Sequence, residues 1–239
     1  MLARRDFLKG LAITGVALSY SDFALSAIKK DSMEAHLFPV TVDGKRGFIN
    51  SKGTVVIKPQ FDRAYSFDDG LALIRMSNKY GYINEKGSIV IEPKFKDAFP
   101  FYEGLAAVVF SGDKKWGYID RMGHFIIKPQ FDETLPFSEG LASVVIEGKW
   151  GYIDKVGNMI IKPQFESAFP FSEDLANISI GDKWGCIDKE GRMVINPQSD
   201  EPIFYSEGLA PIKVSNKWGY IDKTMNYIIP LTYRAAGGF

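Results

Sequence analysis

Residues 140–173 read GLASVVIEGKWGYIDKVGNMIIKPQFESAFPFSE, and the fold follows from how this stretch divides. Leu141 to Ile146 is a β-prone run after Gly140. Glu147-Gly148 makes a tight turn into Lys149-Trp150-Gly151-Tyr152-Ile153, whose side chains alternate between two faces. Trp150 and Tyr152 are expected on one face, Gly151 and Ile153 on the other. Asp154-Lys155-Val156-Gly157 suits a type I turn, with Asp capping the first position and Gly at positive φ in the fourth. Met159-Ile160-Ile161 returns as a third strand, which Pro163 is expected to end by removing a donor. Phe165, Ala168, Phe169 and Phe171 then pack a connector, with room for a short fourth strand, before the next Gly-Leu-Ala.

The pattern recurs. Gly47, Gly81, Gly117, Gly151, Gly185 and Gly219 mark a period of 34 residues, broken once by two extra residues near Ser111-Gly112-Asp113-Lys114. Each unit alone is a three-stranded meander too thin to bury a core, so neighbours must stack. The expected fold is all-β: a tandem array of six meander repeats in one domain spanning residues 36–235. An open, curved array is favoured because the segment Pro136 to Gly140 is short for a crossing between blades. A six-bladed β-propeller is the alternative. The last unit departs from the others, with Met225 at the turn glycine and Pro230 one residue early, as a capping repeat requires. The terminal Gly237-Gly238-Phe239 is expected to fray.

The unit resembles the bacterial WG (KWG) repeat family, named for a Trp-Gly pair. The pair stands here as Trp116-Gly117, Trp150-Gly151, Trp184-Gly185 and Trp218-Gly219; Arg46-Gly47 and Tyr80-Gly81 depart from it. The resemblance implies a repeat fold. It transfers no catalytic residues.

The N-terminus carries a different signal. Ala3-Arg4-Arg5-Asp6-Phe7-Leu8-Lys9 resembles the bacterial twin-arginine export motif, with Ala3 in place of Ser or Thr; Arg4, Arg5, Phe7, Leu8 and Lys9 fit it. The apolar stretch from Gly10 to Leu18 is too short for a bilayer span, which needs about 20 residues. Ala24-Leu25-Ser26-Ala27 offers small residues for cleavage. Residues 1–27 are therefore expected to be a signal peptide, by the twin-arginine or the general secretory route, and the mature chain periplasmic or extracellular. No membrane-spanning segment is expected in the mature chain.

Twenty-nine basic and 29 acidic residues balance, so no net field attracts nucleic acid. One cysteine, Cys186, and two histidines, His36 and His124, give conventional zinc chemistry few ligands. Cys186 takes the slot that Tyr82, Tyr118, Tyr152 and Tyr220 fill elsewhere, as a small core substitute. No nucleophile triad order, phosphate loop or dinucleotide fingerprint occurs. The recurring acids Asp120, Asp154, Asp188 and Asp222, and Asn50 and Asn84, read as turn residues. So do Asp69, Glu103, Glu139, Glu173, Asp174 and Glu207 before the Gly-Leu-Ala strand.

What remains for binding is the aromatic row Tyr80, Trp116, Trp150, Trp184 and Trp218. Exposed, it would stack sugars or peptide side chains; buried, it is core, with the adjacent glycine admitting a neighbouring ring. The expected function is a non-catalytic extracytoplasmic binding or scaffold protein without cofactor or metal. Its partner would be a protein, peptide or envelope polysaccharide. An exported enzyme or cofactor carrier, and a structural spacer of the envelope, are the alternatives.

Overall fold

The Glu147-Gly148 turn places both central residues at positive φ, 52° and 78°, the mirror-image turn that matches the twist of a hairpin. That turn joins Ala142–Ile146 to Lys149–Ile153, with Val144 opposite Gly151 and Val145 opposite Trp150. Asp154 shapes the next turn. Its carbonyl accepts the Gly157 N–H at 3.1 Å. Its Oδ1 accepts the N–H groups of Val156 at 3.0 Å and Asn158 at 2.8 Å. Gly157 stands at φ 92°, which a side chain would resist.

The structure, a computed structural model, describes residues 36–112 and 114–235. The export motif, the signal segment 1–27 and the Gly237–Phe239 tail lie outside the described residues. These are all-β: small antiparallel sheets recur along the chain, and no sheet closes into a barrel. Among the described residues no helix is long and apolar enough to cross a membrane. The tandem β-repeat array expected from the sequence is what the chain forms.

The third strand runs differently from the expectation. Pro163 does not end it; the strand continues as Met159–Phe165. Ile161 pairs with Tyr152 and Phe165 with Trp150, so a longer stretch of the third strand spans a shorter one of the second. The excess, Lys162 to Gln164, arches out as a bulge, where a residue lacking an N–H is tolerated.

The chain then bends at Glu166, and Ser167–Ala168 pairs with the following repeat's strand Ala176–Ile180. This is the short fourth strand. In the second repeat the bend is absent, and one strand, Ile89–Ala98, pairs with Lys79–Asn84 on one side and Ala106–Phe110 on the other. Passage between these repeats needs no separate crossing segment.

Two compact units divide the described chain, residues 36–203 and residues 204–235. Inside the first, the fourth repeat buries both faces. Tyr152 packs with Ile161, Phe165, Phe171, Ala176 and Ile178, toward the next repeat. Ile153 packs with Tyr118, Ile127, Phe131, Ala142 and Val144, toward the preceding one. A meander sandwiched this way needs apolar residues on both faces, hence the unbroken Val-Val-Ile and Tyr-Ile runs. Each such side chain contributes roughly 1.5–3 kcal/mol of burial, all of it at joints between repeats. The second unit is the sheet Leu209–Val214, Lys217–Asp222 and Tyr227–Tyr233.

Candidate binding surface

The aromatic row falls between the two expected extremes. Trp116 is buried, while Tyr80, Trp150, Trp184 and Trp218 are half-buried. Trp116 lies 5.7 Å from the Phe99 ring and Trp184 5.4 Å from Phe169, so connector rings of the preceding repeat cover part of each indole. Trp150 packs against the core around Tyr152 and Phe165. Tyr80 carries the Arg75 guanidinium 5.7 Å above its ring, and Trp218 the Lys213 ammonium at 5.4 Å.

The glycine beside each ring has a different reason from the one expected. A Cβ on Gly151 would first meet the Ile161 carbonyl oxygen at 2.5 Å and the Pro163 nitrogen at 2.7 Å, the backbone of the bulge in its own repeat.

The Tyr position one residue on anchors the connector. Tyr82 Oη donates to the Phe99 carbonyl at 2.7 Å, Tyr118 to Leu135 at 2.8 Å and Tyr152 to Phe169 at 2.7 Å. Burial raises the Tyr82 and Tyr152 phenols well above their ordinary range, which keeps them donors. Cys186 has no hydroxyl to offer. There Asn177 acts instead: Nδ2 donates to the Ile203 carbonyl at 2.7 Å, and Oδ1 accepts the Ile203 N–H at 2.6 Å. Burial pushes the Cys186 thiol up to about 12, so it is not a nucleophile at neutral pH.

The acids serve turns and joints. Glu103, Glu139, Glu173 and Glu207 open two-residue turns at φ 52–54°. The carboxylates of Asp69, Glu103 and Glu139 lace adjacent repeats. Asp69 accepts the Gly104 N–H at 2.8 Å, Glu103 that of Gly140 at 3.0 Å and Glu139 that of Asp174 at 3.0 Å. Lys155 reaches Glu103 at 3.0 Å, and Lys189 reaches Glu139 at 3.1 Å and Asp174 at 2.6 Å. His124 lies exposed, 3.3 Å from Asp120. Among the described residues no three His, Cys, Asp or Glu side chains gather as a metal-holding group.

One surface feature escaped the sequence reading. Val55-Val56, Ile89-Val90, Met159-Ile160, Met193-Val194 and Tyr227-Ile228 open the third strands with 36–54% exposure, and Ile126 matches them in the third repeat. Lys58, Lys128 and Lys162 stand exposed just beyond. In the fourth repeat this strand is a sheet edge, bonded on one side only. The available signal was the run Met159-Ile160-Ile161: strand alternation cannot bury all three.

The sequence profile of the WG containing repeat matches residues 47–80, 80–114, 116–150, 150–184, 184–218 and 218–239. No curated protein matches the chain. Among solved structures, a eukaryotic initiation factor is similar at TM-score 0.52 and 10% identity, over 81% of this chain and 62% of that one. Hsv2p of Kluyveromyces lactis is similar at TM-score 0.50 and 10% identity, over 81% and 73%. The extracellular domain of a one-component system from B. thetaiotaomicron gives TM-score 0.45 and 12% identity, over 82% of this chain and 35% of that one. The chain thus spans about a third and three fifths of the lengths of the first two structures found, and at these identities the likeness is one of fold alone.

Proposed function

The chain belongs to the family of WG-containing repeats, and from that premise we propose a non-catalytic binding or scaffold protein acting outside the cytoplasm. Its repeat surface engages a protein, peptide or envelope polysaccharide. One observation carries this reading: exposed apolar residues that open the third strands recur at one position of the repeat, with a lysine beside them in the first, third and fourth repeats. Regular apolar exposure of this kind on a soluble repeat suits a partner surface. Cys186, by contrast, is buried, and Asp69, Glu103, Glu139 and Asp154 are engaged in joints and turns.

The test compares purified mature protein with the double variant Ile126→Asp/Ile160→Asp, against isolated envelope polysaccharide and an identified cross-linked envelope protein. Binding should fall at least about tenfold while the melting temperature stays within a few degrees. Undiminished binding by the variant would remove the surface from consideration.

Export rests on Arg4, Arg5, Phe7, Leu8 and Lys9 together with the small residues Ala24 to Ala27. Protein recovered from the native host is expected to begin at Ala27 or Ile28. Replacing Arg4 and Arg5 by lysine should hold the precursor in the cytoplasm. A mature chain that still begins at Met1 contradicts the proposal.

A further inference from the structure

Lys58, Lys128 and Lys162, on the third strands, are exposed and make no ion pair among the described residues. The next acid along the chain is in each case already taken by a lysine of the second strand. Lys45 holds Asp62 at 2.6 Å, Lys115 holds Asp132 at 2.6 Å and Lys149 holds Glu166 at 3.4 Å. Each free lysine shares a side of its strand with an aliphatic residue. Ile160 is exposed, Ile161 buried and Lys162 exposed; Val56, Ile57 and Lys58 repeat the order, as do Ile126, Ile127 and Lys128. Residues two apart on a strand face the same way.

The backbone beside these side chains is open as well. The Asp154 N–H donates to the Asn158 carbonyl at 3.0 Å, so Asn158 faces the second strand. Met159, next in line, turns its own N–H and carbonyl to the other side, as alternation on an antiparallel strand requires. Among the described residues no strand bonds there: Met159–Phe165 is the last strand of its sheet, as Val55–Phe61 and Phe125–Phe131 are of theirs. Bonds from the Asn50 N–H to the Thr54 carbonyl at 3.0 Å and from Asp120 to His124 at 2.9 Å set the same phase in the first and third repeats. An open edge invites another strand. A second copy of the same edge is a poor occupant, because the two would bring like ammonium groups onto one face. A strand carrying carboxylates is the complementary one.

We propose that these edges take up an extended, acidic segment of a partner protein as an added β-strand, with a carboxylate opposite Lys58, Lys128 or Lys162 and an aliphatic side chain opposite Val56, Ile126 or Ile160. Main-chain hydrogen bonds supply the affinity in this mode, and alternate side chains supply the selectivity. Run antiparallel, the segment reads acid, any residue, aliphatic. Pro59, Pro129 and Pro163 follow the lysines and offer no N–H, so one edge holds only a short stretch. A partner presenting several such stretches gains from their number. The assignment rests on the apolar surface proposed above and chooses protein over polysaccharide as its occupant.

The mature chain is titrated at low ionic strength with a fluorescently labelled peptide in which threonine alternates with glutamate and valine, followed by anisotropy. Saturable binding is expected. Lysine in place of the peptide's glutamates should weaken it about tenfold or more, as loss of charge-assisted contacts implies. Methylating the threonine nitrogens should abolish binding, since the charges remain but the ladder cannot form. The triple variant Lys58→Glu/Lys128→Glu/Lys162→Glu should favour the lysine peptide instead. Its melting temperature should stay within a few degrees, because none of the three lysines is ion-paired. Three results overturn the proposal: no saturable binding of the acidic peptide, undiminished binding of its methylated form, or an unchanged preference in the triple variant. Polygalacturonate forms a separate arm. If it binds, weakens with Ile126→Asp/Ile160→Asp, and the peptide does not bind, the surface stands and the protein occupant falls.

Discussion

Gly151→Val is expected to destabilise the protein by about 3 kcal/mol or more, the upper end for an overpacked site. The reason is the nature of the obstacle. A Cβ here lies 2.5 Å from the Ile161 oxygen, 2.7 Å from the Pro163 nitrogen and 3.0 Å from the Lys162 carbonyl carbon, all backbone. The equivalent glycines, Gly47, Gly81, Gly117, Gly185 and Gly219, show first contacts of 2.3–2.6 Å, again with a carbonyl oxygen. Relief requires moving the bulge, and the bulge fixes Phe165 opposite Trp150 and inside the core. Valine's better strand propensity is worth at most about 1 kcal/mol and cannot offset this. Gly151→Ala should already be clearly destabilised, because the Cβ itself is the clash. Gly148→Ala is the control, since its Cβ meets nothing within 4 Å and only the φ of 78° opposes it. Urea midpoints order the three. Wild-type stability in Gly151→Ala would show that the third strand does not cross there.

This glycine also marks the limit of what the sequence disclosed. Turn chemistry is local, so the Asp154 turn with Gly157 at positive φ and the Glu147-Gly148 hairpin were legible residue by residue. The period of 34 made the stacking legible too. A bulge is not local. Pro163 reads equally as a strand end or as a tolerated break, and only the pairing of Phe165 with Trp150 decides between them. The extent to which a tryptophan is covered depends on the previous repeat's connector, as Phe99 and Phe169 show, and periodicity says nothing of that.

The Cys186 slot extends the argument, because a core substitution there moved a function to another residue. Asn177 lies opposite Cys186, and the space left by the missing phenol lets its amide take both polar groups of Ile203. Elsewhere the two tasks are divided. The Tyr152 hydroxyl holds the Phe169 carbonyl at 2.7 Å, while the Phe169 N–H donates to the Asn177 carbonyl of the next strand at 2.9 Å. Beside Ile203 the connector contains Pro202 and forms no short strand, so its N–H depends on Asn177. Asn177→Ala should therefore cost about 2–6 kcal/mol, for two buried backbone groups left unpaired at roughly 1–3 kcal/mol each. Cys186→Tyr alone should overpack against Asn177 and cost about 1–3 kcal/mol. The double variant Asn177→Ser/Cys186→Tyr copies the Ser143–Tyr152 pair of the fourth repeat. Its phenol can reach the Ile203 carbonyl but not the N–H, so it should recover part of the loss and remain about 1–3 kcal/mol below wild type. Such a pattern is non-additive by construction, and a double-mutant cycle from denaturant melts measures the coupling. Strict additivity of the two substitutions would mean that the amide and the thiol do not share the slot, and that the connector is held by something other than Asn177.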